Sequence, residues 1–254
     1  MKPSLKALAI PALVLALSAC ASGPRGPSNE VIARALKGAP GEAQPSTIVS
    51  TEIAYARAAQ EDGQFTAATR YADDGAIFHT RNGGAPFAQL AAQLPDPEQA
   101  TEWGPRTVVM SCDGSVALSL GRFKDAEGFV GNYVTAWRRQ SDLTYKWTYD
   151  VAGRDNPQPP PRRQFEDGDI VVTAIDSVQG LVATCPSGRI PLVPAPADSP
   201  VGLGGESVNT SRDGTLRWRW EHRGQNDKFV AAEYFFNGQW VTAIEETLAS
   251  PDEG

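Results

Sequence analysis

Histidine and cysteine are scarce, with two of the first and three of the second in 254 residues. Structural zinc takes about four ligands and catalytic zinc about three. His79 and His222 have no close cysteines or paired carboxylates beside them in the sequence, so no metal site is expected. Also missing are a Gly-x-Ser-x-Gly elbow, a glycine-rich loop followed by Lys and Ser/Thr, and a His-Glu-x-x-His helix. Gly202-Leu203-Gly204-Gly205 follows a proline-rich stretch and precedes no helix signal, which makes it a surface loop rather than a phosphate cradle. Basic clusters are lacking too. Arg138-Arg139 and Arg162-Arg163 are isolated pairs in a chain of formal charge −7, whereas nucleic-acid binding needs many cations to displace counterions from phosphates. Nucleic acid is therefore not an expected partner, and no cofactor is expected.

No apolar run is long enough to cross a bilayer, which takes roughly 20 residues. The longest, 7–17, is about half that and contains Pro11. Lys2 and Lys6 precede it, and small residues lead into a cysteine in Leu17-Ser18-Ala19-Cys20. This pattern resembles the signal peptide of bacterial lipoproteins, in which the cysteine becomes the first mature residue and carries the lipid. The resemblance implies a leader over 1–19, lipidation of Cys20, a tether over 20–45 and attachment to a membrane through the anchor. Each buried methylene contributes about 0.8 kcal/mol, so several acyl chains hold a protein without a spanning helix. Ala21 stands where lipoproteins kept in the inner membrane often carry Asp, which favours the outer membrane and its periplasmic face. Loss of Lys2 and Lys6 takes the formal charge from −7 to −9.

The remaining length suits one large core or two modest ones, and the prolines favour two. Residues 156–163, Asn-Pro-Gln-Pro-Pro-Pro-Arg-Arg, lack the backbone donors to continue a sheet and prefer an extended form. A linker over 156–164 would divide a first domain at 46–155 from a second at 165–248, with a tail over 249–254. Cys112 and Cys185 stand on either side of it in an oxidising compartment. One reading is a disulfide pinning the halves together, and the other is two buried thiols that never meet.

Four alanines in 47–60 mark a helix ended by Gly63, and a second short helix follows at 65–71. Strand signals occupy 76–80, 106–111, 115–122, 131–140 and 145–151, with a further short helix at 85–94. Turn formers separate them, including Asn82-Gly83-Gly84, Asp113-Gly114 and Ala126-Glu127-Gly128. Residues 52–67, EIAYARAAQEDGQFTA, resemble the opening of nuclear-transport-factor-2-like proteins, also called SnoaL-like or DUF4440-like. The resemblance continues through Trp103-Gly104-Pro105, residues 111–115, 128–133 and 137–139, Lys146-Trp147 and Asp150, covering about 110 residues. It implies an α+β fold: a cone of helices on a strongly curved antiparallel sheet, with an apolar pocket at one end, followed here by a smaller antiparallel β domain. Relatives include isomerases, cyclases and dehydratases as well as binding and dimerising proteins.

Within that frame the candidate pocket residues are Tyr55, His79, Trp103, Phe123, Tyr133, Trp137, Trp147 and Tyr149. Trp147 and Tyr149 are two apart and are expected on one strand face, as are Tyr133 and Trp137. Core packing accounts for the same aromatics equally well. Asp150 and Glu52 are the candidate catalytic carboxylates, which acid–base chemistry would place beside a Tyr or His donor. The bland alternative for Asp150 is a strand-end turn residue.

Beyond 165 the helix signal vanishes. Strands are expected at 170–175, 178–185, 215–222, 228–236 and 239–247, with Asn237-Gly238 as a two-residue hairpin turn. Leu216, Trp218 and Trp220 alternate with Arg217, Arg219 and Glu221, giving an apolar and a charged face. The apolar face suits a core, or a shallow surface for a peptide, glycan or partner lipoprotein. Taken together, the sequence favours a non-enzymatic, lipid-anchored protein that binds a small apolar ligand or an envelope partner. The alternative is an isomerase or dehydratase acting by general acid/base on a small hydrophobic substrate. A homodimer formed through the outer sheet face is a third arrangement.

Overall fold

The computed structural model describes residues 31, 43–160, 177–185, 206–224 and 227–250. Cys20, the leader, the strand expected at 170–175, Arg162-Arg163 and the 202–205 loop lie outside the described residues. Pro45 opens the helix α1 (Pro45–Asp62) in the first turn, where a missing N–H costs nothing. Gly63, at φ 107°, ends it. A second helix, α2 (Gln64–Tyr71), starts at once, and no side chain of its own caps it. The Asp96 carboxylate does so from a distance, accepting the N–H groups of Phe65 at 2.5 Å and Thr66 at 3.2 Å and the Thr66 hydroxyl at 2.6 Å. A single turn and a half, α3 (Phe87–Ala91), completes the described helices.

The strands β1 (Ala72–Thr80), β2 (Gly83–Pro86), β3 (Glu102–Met110), β4 (Val116–Lys124), β5 (Val130–Arg139), β6 (Tyr145–Arg154) and β7 (Gln179–Val182) form one sheet in the order β2-β1-β6-β5-β4-β3-β7. It is mixed, since β1 runs parallel to β6 and β7 parallel to β3. A second, antiparallel sheet contains β8 (Glu206–Thr210), β9 (Leu216–Arg223), β10 (Asp227–Phe236) and β11 (Gln239–Ala249) in the order β11-β10-β9-β8.

The large sheet is apolar on both faces, and this decides the architecture. Val108, Met110, Ala117, Trp137 and Trp147 face Ile48, Ala68 and Phe87 of the helices. Val109, Leu118, Val134 and Val151 face the other way and pack against Leu216, Trp218, Trp220, Val230 and Ile244 of the second sheet in one shared core. The fold therefore departs from the α+β cone followed by a smaller β domain. Among the described residues strand dominates over helix, 51% against 19%, and a large mixed sheet and a four-stranded sheet replace the helix-on-sheet cone. Burying both faces of the first sheet requires a second layer, and the alternating tryptophans of β9 supply it.

Two turns of the same design join the layers. In Ser111-Cys112-Asp113-Gly114-Ser115 the Ser111 hydroxyl donates to Asp113 at 2.8 Å and the Ser115 N–H at 2.9 Å. In Ser211-Arg212-Asp213-Gly214-Thr215 the Ser211 hydroxyl donates to Asp213 at 2.6 Å and the Thr215 N–H at 3.1 Å. The turns also bond to each other: Cys112 N–H donates to the Thr215 hydroxyl oxygen at 2.9 Å, and Asp113 N–H to the Asp213 carboxylate at 2.8 Å. A disulfide joins Cys112 to Cys185, just past the ends of the parallel pair β3 and β7, with Cα atoms 5.2 Å apart.

One strand carries an extra residue. Trp137 pairs with Trp147 while Ala136 pairs with Tyr149, so Thr148 is a β-bulge. Trp147 and Tyr149, expected on one face, consequently point to opposite faces: Trp147 to the helices, Tyr149 to the second sheet.

Candidate functional site

A cavity of about 160 Å³ lies between the helices and the large sheet. From the candidate set, Tyr55 on α1, Trp103 on β3, Phe123 on β4, Tyr133 and Trp137 on β5 and Trp147 on β6 border it, together with Asp150. Phe65, Phe78 and Phe87 extend the aromatic wall, and Gln64, Thr101 and Thr135 supply polar groups. Strand periodicity explains the convergence. Tyr133, Thr135 and Trp137 alternate along β5 toward the helices, and the Thr148 bulge shifts the register so that Trp147, Asp150 and Ala152 share that side. Phe65, Phe78 and Phe87 were legible only as generic apolar residues. Thr135 had a signal, its place midway between Tyr133 and Trp137.

Two of the cavity's three indole donors are already committed: Trp137 Nε1 donates to Ser119 Oγ at 2.9 Å and Trp147 Nε1 to the Ala68 carbonyl at 3.3 Å. Their rings thus contribute apolar surface rather than free polar groups.

Behind the wall, Glu52 of α1 is buried to 1% exposure. Its Oε1 accepts the Ser119 hydroxyl and its Oε2 accepts the Tyr133 hydroxyl at 2.6 Å. Tyr133 reaches it only because position 121 is glycine: a Cβ there would lie 2.5 Å from the Tyr133 hydroxyl and 2.2 Å from the Gly104 carbonyl oxygen. Burial drives the Glu52 carboxyl up to about 7, and the charge of Asp150 adds to the rise, while the Ser119 and Tyr133 hydrogen bonds pull it back. Tyr133 is held well above its ordinary range by burial and by the Glu52 charge, and it stays protonated.

Asp150 is half-buried and borders the cavity. It pairs with Thr135 across the strands, and the Thr135 hydroxyl donates to its Oδ1 at 2.5 Å. Burial raises its carboxyl to about 6, against the Thr135 bond and the positive charge of Lys228. Lys228, 5% exposed, comes from β10 and donates to the Ala152 carbonyl at 2.6 Å. Sequence reasoning missed it, because nothing local marks which distant strand faces Asp150.

His79 and Tyr149 are not at this cavity; both face the second sheet. His79 Nδ1 lies 2.6 Å from the Tyr149 hydroxyl and Nε2 lies 3.2 Å from His222 Nδ1, with Trp220 edge-on at 4.9 Å. Burial, together with the charges of His222 and Lys228, pushes the imidazole down to about 3, so it remains neutral. The parity of β1 places Ile77 and His79 on that face and Phe78 on the cavity side.

The geometry defines an aromatic chamber with one carboxylate on its wall and a second carboxylate hydrogen-bonded just behind. Such a chamber can hold a small apolar body, orient it through one polar group, and accept a proton at Asp150. No protein-family model matches the chain, and no curated protein matches it.

Proposed function

We propose that this chain is a lipid-anchored protein of the outer membrane's periplasmic face whose folded part binds a small, largely apolar ligand. The observation that carries the binding reading is the cavity itself: nine aromatic side chains and one carboxylate around about 160 Å³. Binding sites of this kind are mostly apolar, with a few convergent polar groups that fix orientation. A cavity of roughly 150 Å³ holds a molecule about the size of benzene. Leu17-Ser18-Ala19-Cys20 supports the anchor, and no helix among the described residues is long and apolar enough to cross a membrane.

A ligand-observed NMR screen of single-ring fragments against the full chain tests the binding reading. Hits should lose binding when Trp103 or Phe123 is replaced by alanine, and a screen without hits removes the proposal. For the anchor, Cys20→Ala should abolish incorporation of labelled palmitate and release the protein from the membrane fraction; unchanged labelling refutes it.

A second reading is proton transfer on a small hydrophobic substrate, with Asp150 as general base. It is favoured by the position of Asp150 at the wall and by a carboxyl raised toward the neutral range. Asp150→Asn would then retain ligand binding and lose turnover, and equal turnover in the variant would eliminate this reading.

A further inference from the structure

We infer that the ligand of this cavity is a small organic cation, an amine or quaternary ammonium of roughly choline size. This rests on the binding reading above and narrows it to a ligand class. Two features of the wall point the same way. The first is the density of rings, since an aromatic face attracts a cation through its negative quadrupole, most strongly where water is excluded. The second is charge. Asp150 borders the cavity, Glu52 lies one hydrogen bond behind Tyr133, and no Lys, Arg or His is among the described residues of the lining.

A chamber meant for a neutral hydrocarbon gains nothing from such an arrangement, because a carboxylate in an apolar site is costly unless it is paired. Thr135 meets Oδ1 of Asp150 but brings no charge. Lys228 offsets part of the negative charge, yet its ammonium is bonded to the Ala152 carbonyl and it is not part of the described lining. Asp150 and Lys228 balance each other when both are charged, so the ionisation of Glu52, whose carboxyl lies at about 7, adds the negative charge that an entering monocation balances. An anion of the same shape would meet that charge as repulsion. The aromatic walls accept the alkyl or aryl body, and Asp150 faces the cationic head.

The test uses the full chain at neutral pH, titrated with choline and with 3,3-dimethylbutan-1-ol, the neutral isostere in which carbon replaces the charged nitrogen. Benzylamine and benzyl alcohol form a second pair of the same kind. Each cation should bind at least about tenfold more tightly than its neutral partner. In Asp150→Asn the gap should shrink to about threefold or less. Should that variant fail to fold, as judged by circular dichroism, the wild-type comparison still decides. Equal or tighter binding of the two alcohols overturns the cation while leaving the cavity a ligand site. Failure of all four compounds to bind overturns both readings.

Discussion

The backbone N–H of Asp113 donates to the side-chain carboxylate of Asp213 at 2.8 Å, across one hundred positions of sequence. With the bond from Cys112 N–H to the Thr215 hydroxyl, it couples two turns of matching sequence, each built around its own aspartate, and fastens the two sheets at one end.

Replacing Asp213 by alanine should therefore remove more than a local turn. Ser211, Thr215 and Asp113 all lose an acceptor, and hydrogen bonds to a charged group contribute about 1.5–3 kcal/mol. A loss of about 3 kcal/mol in urea unfolding is expected. Asp213→Asn should not rescue it, since its amide NH₂ would face one of these donors in either orientation.

Stability should depend on pH through Glu52. Its carboxyl lies at about 7 in the folded protein against an ordinary 4.5, so the folded state holds a proton that the unfolded state has released between those values. Stability is greatest below about 4.5 and declines as pH rises to about 7, by about 3 kcal/mol from this group. Glu52→Gln keeps the shape and removes the titration. Urea midpoints measured for both proteins across this range should converge at acid pH and diverge in favour of the variant near neutrality.

Choline binding should weaken as pH falls through about 7 and then about 6, where Glu52 and then Asp150 take up their protons. The charged and titratable groups acting around Asp150 are Glu52, Tyr55, Tyr133, Tyr149 and Lys228. Both tyrosines of the cavity wall remain neutral throughout, being raised well above their ordinary range. Calorimetry at successive pH values should give a profile that flattens in Asp150→Asn.

Gly121→Ala should cost about 3 kcal/mol, because the added methyl meets a backbone oxygen that has little room to yield. It should also displace Tyr133 from Glu52, which a change in the pH dependence of stability would report.

Removing the disulfide by Cys112→Ser with Cys185→Ser should destabilise the protein by about 4 kcal/mol, given the 73-residue separation it spans. Thermal unfolding with and without reductant checks this, and the double variant should be insensitive to reductant.

Local order was legible in the residues themselves. The alanines of α1, the glycine that ends it and the alternation along β5 and β9 announce a helix and half-buried strands without reference to anything distant. Pairing over long separations was not. Nothing near Ala72–Thr80 indicates that it runs parallel to Tyr145–Arg154, and the short strands β2 and β8 carry too few residues for a pattern. The second apolar face of the first sheet could be read in Val109, Leu118 and Val134, but the tryptophans of β9 gave no hint that they were its cover. At the site, spacing put Tyr133 and Trp137 of β5 on one face, while their place at a pocket came only from the cone that the resemblance implied. His79 was misplaced because the parity of a strand says which residues share a face, and not which face is the cavity.

The extra residue at Thr148 divides β6 into two segments of opposite phase. N-terminal to it, odd positions such as Tyr145 and Trp147 belong to the helix side; C-terminal to it, even positions such as Asp150 and Ala152 do. A single strand thereby serves two compartments that can vary separately. Substitutions at 150 and 152 alter the chamber wall while 149 and 151 keep the layers together, so the wall can vary without renegotiating the fold.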